Sequence, residues 1–184
     1  MTTMNKRLLA LCAAVFAGIV PAAAHAAHHA DRAHTRLWDT IRAVGVDTAI
    51  NHPGLCDDDT AGMYSSSYGA MVVCQDNRVK PLQAVRWTEN DYDTLRHEAH
   101  HIIQDCVDGK RGDGNLETLF EGRELGKFVF DAGIGKQQLE SIIGVYAGDK
   151  GLDDDDVLVE IEAFAVANSI PADTIADTML RVCK

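Results

Sequence analysis

The chain has 184 residues, of which 46% are hydrophobic, and it carries 17 Lys or Arg against 28 Asp or Glu, a net charge of −11. This length suits one compact domain with a single core. The acidic balance argues against nucleic acid or an anionic membrane surface as the partner, because both repel a negatively charged protein.

The first 26 residues have the pattern of a secretory signal peptide. Lys6 and Arg7 precede an uncharged apolar run over residues 8–20, and small residues follow up to Ala26. The run is shorter than the roughly 20 apolar residues that cross a bilayer. We therefore expect cleavage near Ala26, export to the periplasm or the medium without a membrane anchor, and a single domain over residues 27–184.

Four cysteines follow the predicted leader: Cys56, Cys74, Cys106 and Cys183. In an oxidising compartment an even number of cysteines predicts disulfides, here two. Of the three possible pairings we favour Cys56–Cys74 with Cys106–Cys183, because the first would close a hairpin-like segment. A zinc site built from cysteines is disfavoured, since the chain has no C-x-x-C pair.

The first half of the chain predicts one helix, a small sheet and a second helix. Apolar residues at helical spacing before Gly45 indicate the first helix: Leu37, Trp38, Ile41 and Val44. Short apolar runs separated by turn residues then predict a small antiparallel sheet with strands near residues 46–50, 71–74 and 85–87. Polar residues from Thr88 to Asp93 cap the next helix, whose apolar positions recur as far as Cys106.

The second half of the chain is helical in pattern. A glycine-rich segment over residues 109–114 ends the capped helix, and helices are predicted over residues 116–125, 136–146, 154–168 and 171–182. The expected fold class is α+β, a small antiparallel sheet followed by a mainly helical C-terminal half.

The capped helix contains a pattern typical of a metal site. It reads His97-Glu98-Ala99-His100-His101, so His97 and His101 are four residues apart and both imidazoles can reach one metal ion. Glu98 is close enough to take a proton from a water on that ion, which is the position of a general base.

A zinc ion in a catalytic site normally takes three protein ligands, so a further donor is required downstream. Glu160 and Glu162 are the candidates, because they lie on a helix that is apolar nearly all round, where a carboxylate needs a partner. Helical geometry favours neither of them. Gln104 and Asp105, which follow the histidines, are candidates for orienting them through the second ring nitrogen.

These motifs resemble those of gluzincin-type zinc metallopeptidases. Residues 97–104 are similar to H-E-x-x-H-x-x-Q of bacterial neutral zinc metallopeptidases, and Glu160-Ile161-Glu162-Ala163 is similar to the E-x-x-A-D motif, with Phe164 where that motif has its aspartate. The resemblance covers roughly residues 60–168. It implies a zincin-like fold, one zinc ion and Glu160 as the third ligand, with Glu162 as an alternative ligand or a group behind the ligands.

The function that this resemblance implies is a secreted zinc-dependent peptidase acting on a peptide or protein substrate. Glu98 would serve as general base, and residues 68–74 would form the sheet edge to which a peptide adds as a further strand. Four residues are candidates for stabilising the oxyanion, and spacing does not choose among them: Tyr64, Tyr68, Tyr146 and His100.

The alternative is a non-catalytic periplasmic zinc-binding or interaction protein on the same scaffold. Glu98 favours the enzyme, because a site that only binds zinc has no need of a base beside the ligands.

Overall fold

The computed structural model describes residues 30–57, 59–107 and 109–183, so the predicted signal peptide lies outside the described residues. Within these residues the chain is α+β, as expected, and helices dominate after the sheet. Its helices and strands are α1 (Arg32–Ala43), β1 (Asp47–Ile50), β2 (Gly62–Ser65), β3 (Ala70–Val73), α2 (Glu89–Cys106), α3 (Gly122–Asp131), α4 (Lys136–Ile143), α5 (Asp154–Ser169) and α6 (Ala172–Val182).

The sheet is mixed, and the prediction of an antiparallel sheet was wrong in this respect. The strand order is β1-β3-β2, with β3 parallel to β1 and antiparallel to β2. After β1 the chain forms β2 and then reverses its direction through a short 3₁₀ turn, Ser66–Tyr68. The next strand, β3, lies between β1 and β2 in the sheet. The expectation that residues 68–74 form the sheet edge was also wrong, because β3 is paired on both sides and β2 is an edge.

The strand predicted at residues 85–87 does not form. The main chain of Val85 is hydrogen-bonded instead to the side chain of Gln75, whose Oε1 accepts from Val85 N at 2.8 Å and whose Nε2 donates to Val85 O at 3.0 Å. A buried glutamine side chain thus replaces the neighbouring strand that the apolar pattern predicted.

The C-terminal helices differ from the predictions mainly at their ends. Helix α3 begins at Gly122, six residues later than predicted, because the N–H groups of Leu119 and Phe120 donate to the carboxylate of Glu162 and not to a helical carbonyl. Helix α4 ends at Ile143 and continues as a π-helical turn, Gly144–Asp149.

The two larger of the three hydrophobic cores among the described residues lie on either side of α5. One is formed by α1, α2, α6 and the sheet and includes Trp38, Ile102 and Ile175, and the other is formed by α3, α4 and α5 and includes Leu125 and Ile161. Helix α5 contributes side chains to both cores and packs against α2. This packing brings the Glu160–Ala163 motif of α5 next to the His97–His101 motif of α2.

Both predicted disulfides are formed. Cys56–Cys74 ties the turn after β1 to the end of β3, and Cys106–Cys183 ties the last residue of α2 to the residue after α6. Two disulfides indicate an oxidising compartment. Across the described ranges, no helix combines the length and apolar character that crossing a membrane requires.

Candidate metal centre

Three candidate metal ligands converge between α2 and α5. The Nε2 atoms of His97 and His101 lie 3.0 Å apart, and Oε2 of Glu160 lies 3.2 Å from the first and 3.6 Å from the second. The three groups could hold a metal ion. Between the two glutamates that helical geometry left open, the packing of α5 on α2 brings Glu160 to the histidines.

The separations of the three atoms fit a shared ion. Atoms at these distances lie on a circle of about 1.9 Å radius, so a point about 2.0–2.1 Å from all three, the usual distance from zinc to nitrogen or oxygen, exists just outside their plane. The side chain of Glu160 is 18% exposed and that of His97 10% exposed, so the cluster opens to solvent on the Glu160 side.

Helix α2 holds its two histidines rigidly because it is well capped and buried. Thr88 accepts from the N–H of Asp91, and the Asp91 side chain accepts from the N–H of Thr88, which completes a capping box at the start of the helix. From His97 to Cys106 every residue of α2 is buried. The backbone that carries the histidines therefore has little freedom to shift.

His101 has a partner on the side of its ring that faces away from the cluster. Its Nδ1 lies 2.7 Å from Oε1 of Gln104, as expected for a residue that orients a ligand. Asp105 does not have this role, which corrects the prediction that it orients a histidine. Its Oδ2 accepts a 2.6 Å hydrogen bond from the Tyr64 hydroxyl, and both of its carboxylate oxygens accept from Gly112 N.

Glu162 points away from the ligand cluster into the protein, where it is fully buried. Its Oε1 lies 2.7 Å from Nε2 of His100, 3.2 Å from Nε2 of Gln104 and 3.1 Å from the N of Leu119, and its Oε2 lies 3.0 Å from the N of Phe120. Burial works against the charged carboxylate, but these donors outweigh it and lower the pKa of Glu162. Burial lowers the pKa of His100 despite this neighbour. A carboxylate only accepts hydrogen bonds, so Nε2 of His100 is the donor of this pair.

Glu98 lies beside the ligand cluster with its carboxylate buried. Burial raises its pKa above the usual value for a glutamate, and this effect outweighs the nearby imidazoles of His97 and His101. The backbone N–H of Tyr64, in β2, is near the Glu98 carboxylate and works against this rise in the pKa. The candidate base Glu98, which belongs to α2, thus lies against β2 at the edge of the sheet.

The free side of β2 faces this carboxylate. Cys74 N donates to Ala61 O at 2.8 Å, just beyond the paired residues Gly62 and Val73. Hydrogen-bonded and non-hydrogen-bonded pairs alternate along an antiparallel ladder, so the main-chain groups of Gly62 and Tyr64 point away from β3. The contact of the Tyr64 N–H with Glu98 agrees with that orientation.

Gly62 was missed as a site residue, because β2 is short and lies before a run of serines. A Cβ atom at this position would lie 2.6 Å from Cγ2 of Thr94 on α2, a distance that real Cβ contacts essentially never show. The absence of a side chain is what lets β2 approach α2 this closely. An isolated glycine inside a strand is the available sequence signal for such an approach.

Tyr146 and Phe164 form an aromatic wall next to the ligands. The Tyr146 hydroxyl lies near Glu160, and burial together with the charges of Glu160 and Glu98 raises the pKa of this hydroxyl. The rings of Tyr146 and Phe164 have centroids 6.0 Å apart, and the Phe164 ring lies 4.6 Å from that of His97. Nδ1 of His97 is buried and has no hydrogen-bond partner among the described residues.

Three of the four oxyanion candidates differ in what their polar groups contact. The hydroxyl of Tyr64 is bound to Asp105, and His100 faces Glu162 in the interior. Tyr146 lies on the π-helical turn Gly144–Asp149 with its hydroxyl at the cluster. π-Helical turns occur frequently at functional sites, so Tyr146 is the candidate that this geometry favours.

The chain matches no protein-family model, no curated protein and no solved structure. What the site can do is therefore argued from its own geometry.

Proposed function

We propose that this protein is an exported zinc-dependent peptidase that binds one zinc ion through His97, His101 and Glu160. The observation that carries the proposal is the position of the three ligand atoms, 3.0–3.6 Å apart, with the buried carboxylate of Glu98 beside them. Two imidazoles and one carboxylate are a donor set found in catalytic zinc sites, where the fourth position is left for water or substrate. The two motifs that resemble those of gluzincins support the same reading.

Glu98 is proposed as the general base. A zinc ion in this position would lower the pKa of a bound water toward 7 and polarise the carbonyl of a substrate. Glu98 accepts the proton of the attacking water and then delivers it to the leaving amine, which requires a carboxylate close to the ligands but outside them. The nearby Tyr64 N–H is proposed to orient the Glu98 side chain.

The substrate is proposed to be an extended peptide segment bound along β2. The outward main-chain groups of Gly62 and the carbonyl of Tyr64 offer a partner strand hydrogen bonds beside Glu98, and binding of this kind depends on backbone more than on side chains. The hydroxyl of Tyr146, near Glu160 and Glu98, is proposed to donate to the oxyanion that develops on the attacked carbonyl.

The test combines zinc content with hydrolysis on the same samples. Purified protein, loaded with zinc and dialysed, is assayed for metal by mass spectrometry and for cleavage of a mixed peptide library. Wild type should hold one zinc ion, Glu98→Gln should keep the ion and lose about 10²- to 10⁴-fold in hydrolysis, and His101→Ala should lose the ion. Glu124→Gln, on exposed α3 surface, and His52→Ala, in a turn, are matched controls that should behave as wild type.

The outcomes separate the two functions considered. Zinc in wild type without cleavage of any library peptide would favour the non-catalytic zinc-binding protein. Wild type without zinc would reject both.

A further inference from the structure

Glu162 connects three parts of the protein at one carboxylate. Its four hydrogen-bond donors come from α2 (His100 and Gln104) and from the segment before α3 (Leu119 and Phe120), while Glu162 itself belongs to α5. A buried carboxylate with this many donors is held in one orientation, because each lost contact would leave a buried charge or donor unsatisfied.

This carboxylate determines which way the amide of Gln104 faces. Nε2 of Gln104 lies 3.1 Å from Val159 O and 3.2 Å from Oε1 of Glu162, and both of these atoms only accept hydrogen bonds. The amide nitrogen must therefore face α5, and the amide oxygen must face Nδ1 of His101 at 2.7 Å.

The orientation of Gln104 in turn determines which nitrogen of His101 carries the hydrogen. An amide oxygen can only accept, so Nδ1 of His101 donates, and in the neutral ring Nε2 is the nitrogen whose lone pair is left for a metal ion. If the amide were reversed, its NH₂ group would oppose the Nδ1 hydrogen and favour the tautomer that cannot bind a metal through Nε2.

We propose that Glu162 is a positioning residue for the metal ligand His101 and acts on it through Gln104. This inference rests on the proposed zinc site and adds to it a residue that does not touch the ion. Partners behind metal ligands commonly contribute about 10- to 100-fold to metal affinity, which is the effect expected here. The Leu119 and Phe120 contacts also link the segment between α2 and α3 to the same carboxylate, so the order of that segment and the binding of metal should be coupled.

The experiment is a double-mutant cycle on metal affinity. Zinc dissociation constants are measured by chelator competition for the full chain, for Glu162→Gln, for Gln104→Met and for the chain carrying both changes. Each single variant should bind zinc about 10- to 100-fold more weakly. Because Glu162 acts through Gln104, the pair should bind about as weakly as Gln104→Met alone, and strict additivity of the two losses would overturn the proposal.

A second measurement separates positioning from general loss of stability. The cobalt-substituted protein is compared by visible absorption, which reports the ligand field, and Glu162→Gln should change the spectrum. Val129→Ala, on α3 in the second hydrophobic core, changes no proposed ligand and no hydrogen-bond partner of a ligand, and is a destabilised control that should leave both the spectrum and the zinc affinity unchanged. Glu162→Gln with wild-type affinity and spectrum, even with a lower melting temperature, would overturn the proposal.

A substitute variant and the behaviour of the wild type separate failure of this inference from failure of the proposed function. If Glu162→Gln does not fold, Glu162→Asp takes its place, because it keeps the charge but shortens the reach to Gln104. Wild type that binds zinc and hydrolyses peptides, with no effect of either Glu162 variant, would overturn this inference alone. Wild type that binds no zinc would overturn the proposed function together with it.

Discussion

Gly62 in β2 and Glu98 in α2 lie so close together that a Cβ atom on Gly62 would come within 3.1 Å of both Cγ and Oε1 of Glu98. The edge strand and the candidate base therefore share one confined space. Any group added at position 62 must move the strand or the carboxylate, since a well-packed interior does not absorb even one methyl group without strain.

Gly62→Ala is expected to lower peptide hydrolysis by about 10- to 100-fold, because small displacements of a catalytic group have effects of that size. Zinc content should stay at the wild-type value, since the nearest atoms to the added Cβ belong to Thr94 and Glu98 and not to a proposed ligand. Adding Thr94→Ala removes the contact with Cγ2 and should restore stability without restoring hydrolysis. Gly126→Ala, on α3 where a Cβ atom meets nothing within 4 Å, is the matched control, and normal activity in Gly62→Ala would contradict the expectation.

Tyr146→Phe should reduce the rate of hydrolysis and leave zinc binding intact. Loss of one donor to an oxyanion costs about 10²- to 10³-fold in kcat, so the defect should appear in kcat more than in KM. Tyr92→Phe is the control, because the hydroxyl that it removes accepts from the backbone N–H of Asp31 and not from a group of the proposed site. A Tyr146→Phe protein with unchanged kcat would remove this residue from the proposed mechanism.

Zinc uptake at neutral pH should release protons. Without metal, burial disfavours a charged imidazole, but the neighbouring carboxylates of Glu160 and Glu98 outweigh it and raise the pKa of His101. Zinc binds only the deprotonated ring, so it displaces a proton wherever the pH lies below that raised pKa, and its apparent affinity increases as the pH rises. Calorimetry at pH 7 in buffers of different ionisation enthalpy should show the release, and identical heats in all buffers would contradict it.

The two disulfides should differ in their contribution to stability. Cys106 and Cys183 are 77 positions apart in the sequence, and Cys56 and Cys74 are 18 positions apart. The chain-entropy model assigns a stabilisation of about 4–5 kcal/mol to the disulfide that closes the longer loop and about 3 kcal/mol to the other. Replacing Cys106 and Cys183 by alanine should therefore lower the free energy of unfolding more than replacing Cys56 and Cys74. Denaturant unfolding of the two double variants measures the difference, and the reverse order would contradict the model.

The pair of histidines could be predicted from sequence because both lie on one helix, where a spacing of four residues sets their relative direction. Helical geometry could not choose between Glu160 and Glu162, because that choice depends on what lies opposite each side chain once α5 has packed on α2. Glu160 meets His97 and His101, whereas Glu162 meets His100 and a loop segment with no periodic pattern.

The sheet was harder to predict than the helices. Strand β2 has only four residues and begins with Gly62, so its pattern is weak, while the apolar residues near Val85 form no strand because the Gln75 side chain satisfies their backbone. The parallel pairing of β1 with β3 depends on where the chain places β2, and the alternation of apolar residues along a strand carries no information about that placement.

The bond between Cys106 and Cys183 joins the two sides of the metal centre independently of the backbone. His97 and His101 precede the glycine-rich segment over residues 109–114, and Glu160 follows it. A proteolytic nick in that segment, the kind of loop where cleavage concentrates, would leave two fragments that remain one covalent molecule. The helices that carry the ligands would stay tethered at the end of α2, so a nicked chain can keep its complete ligand set.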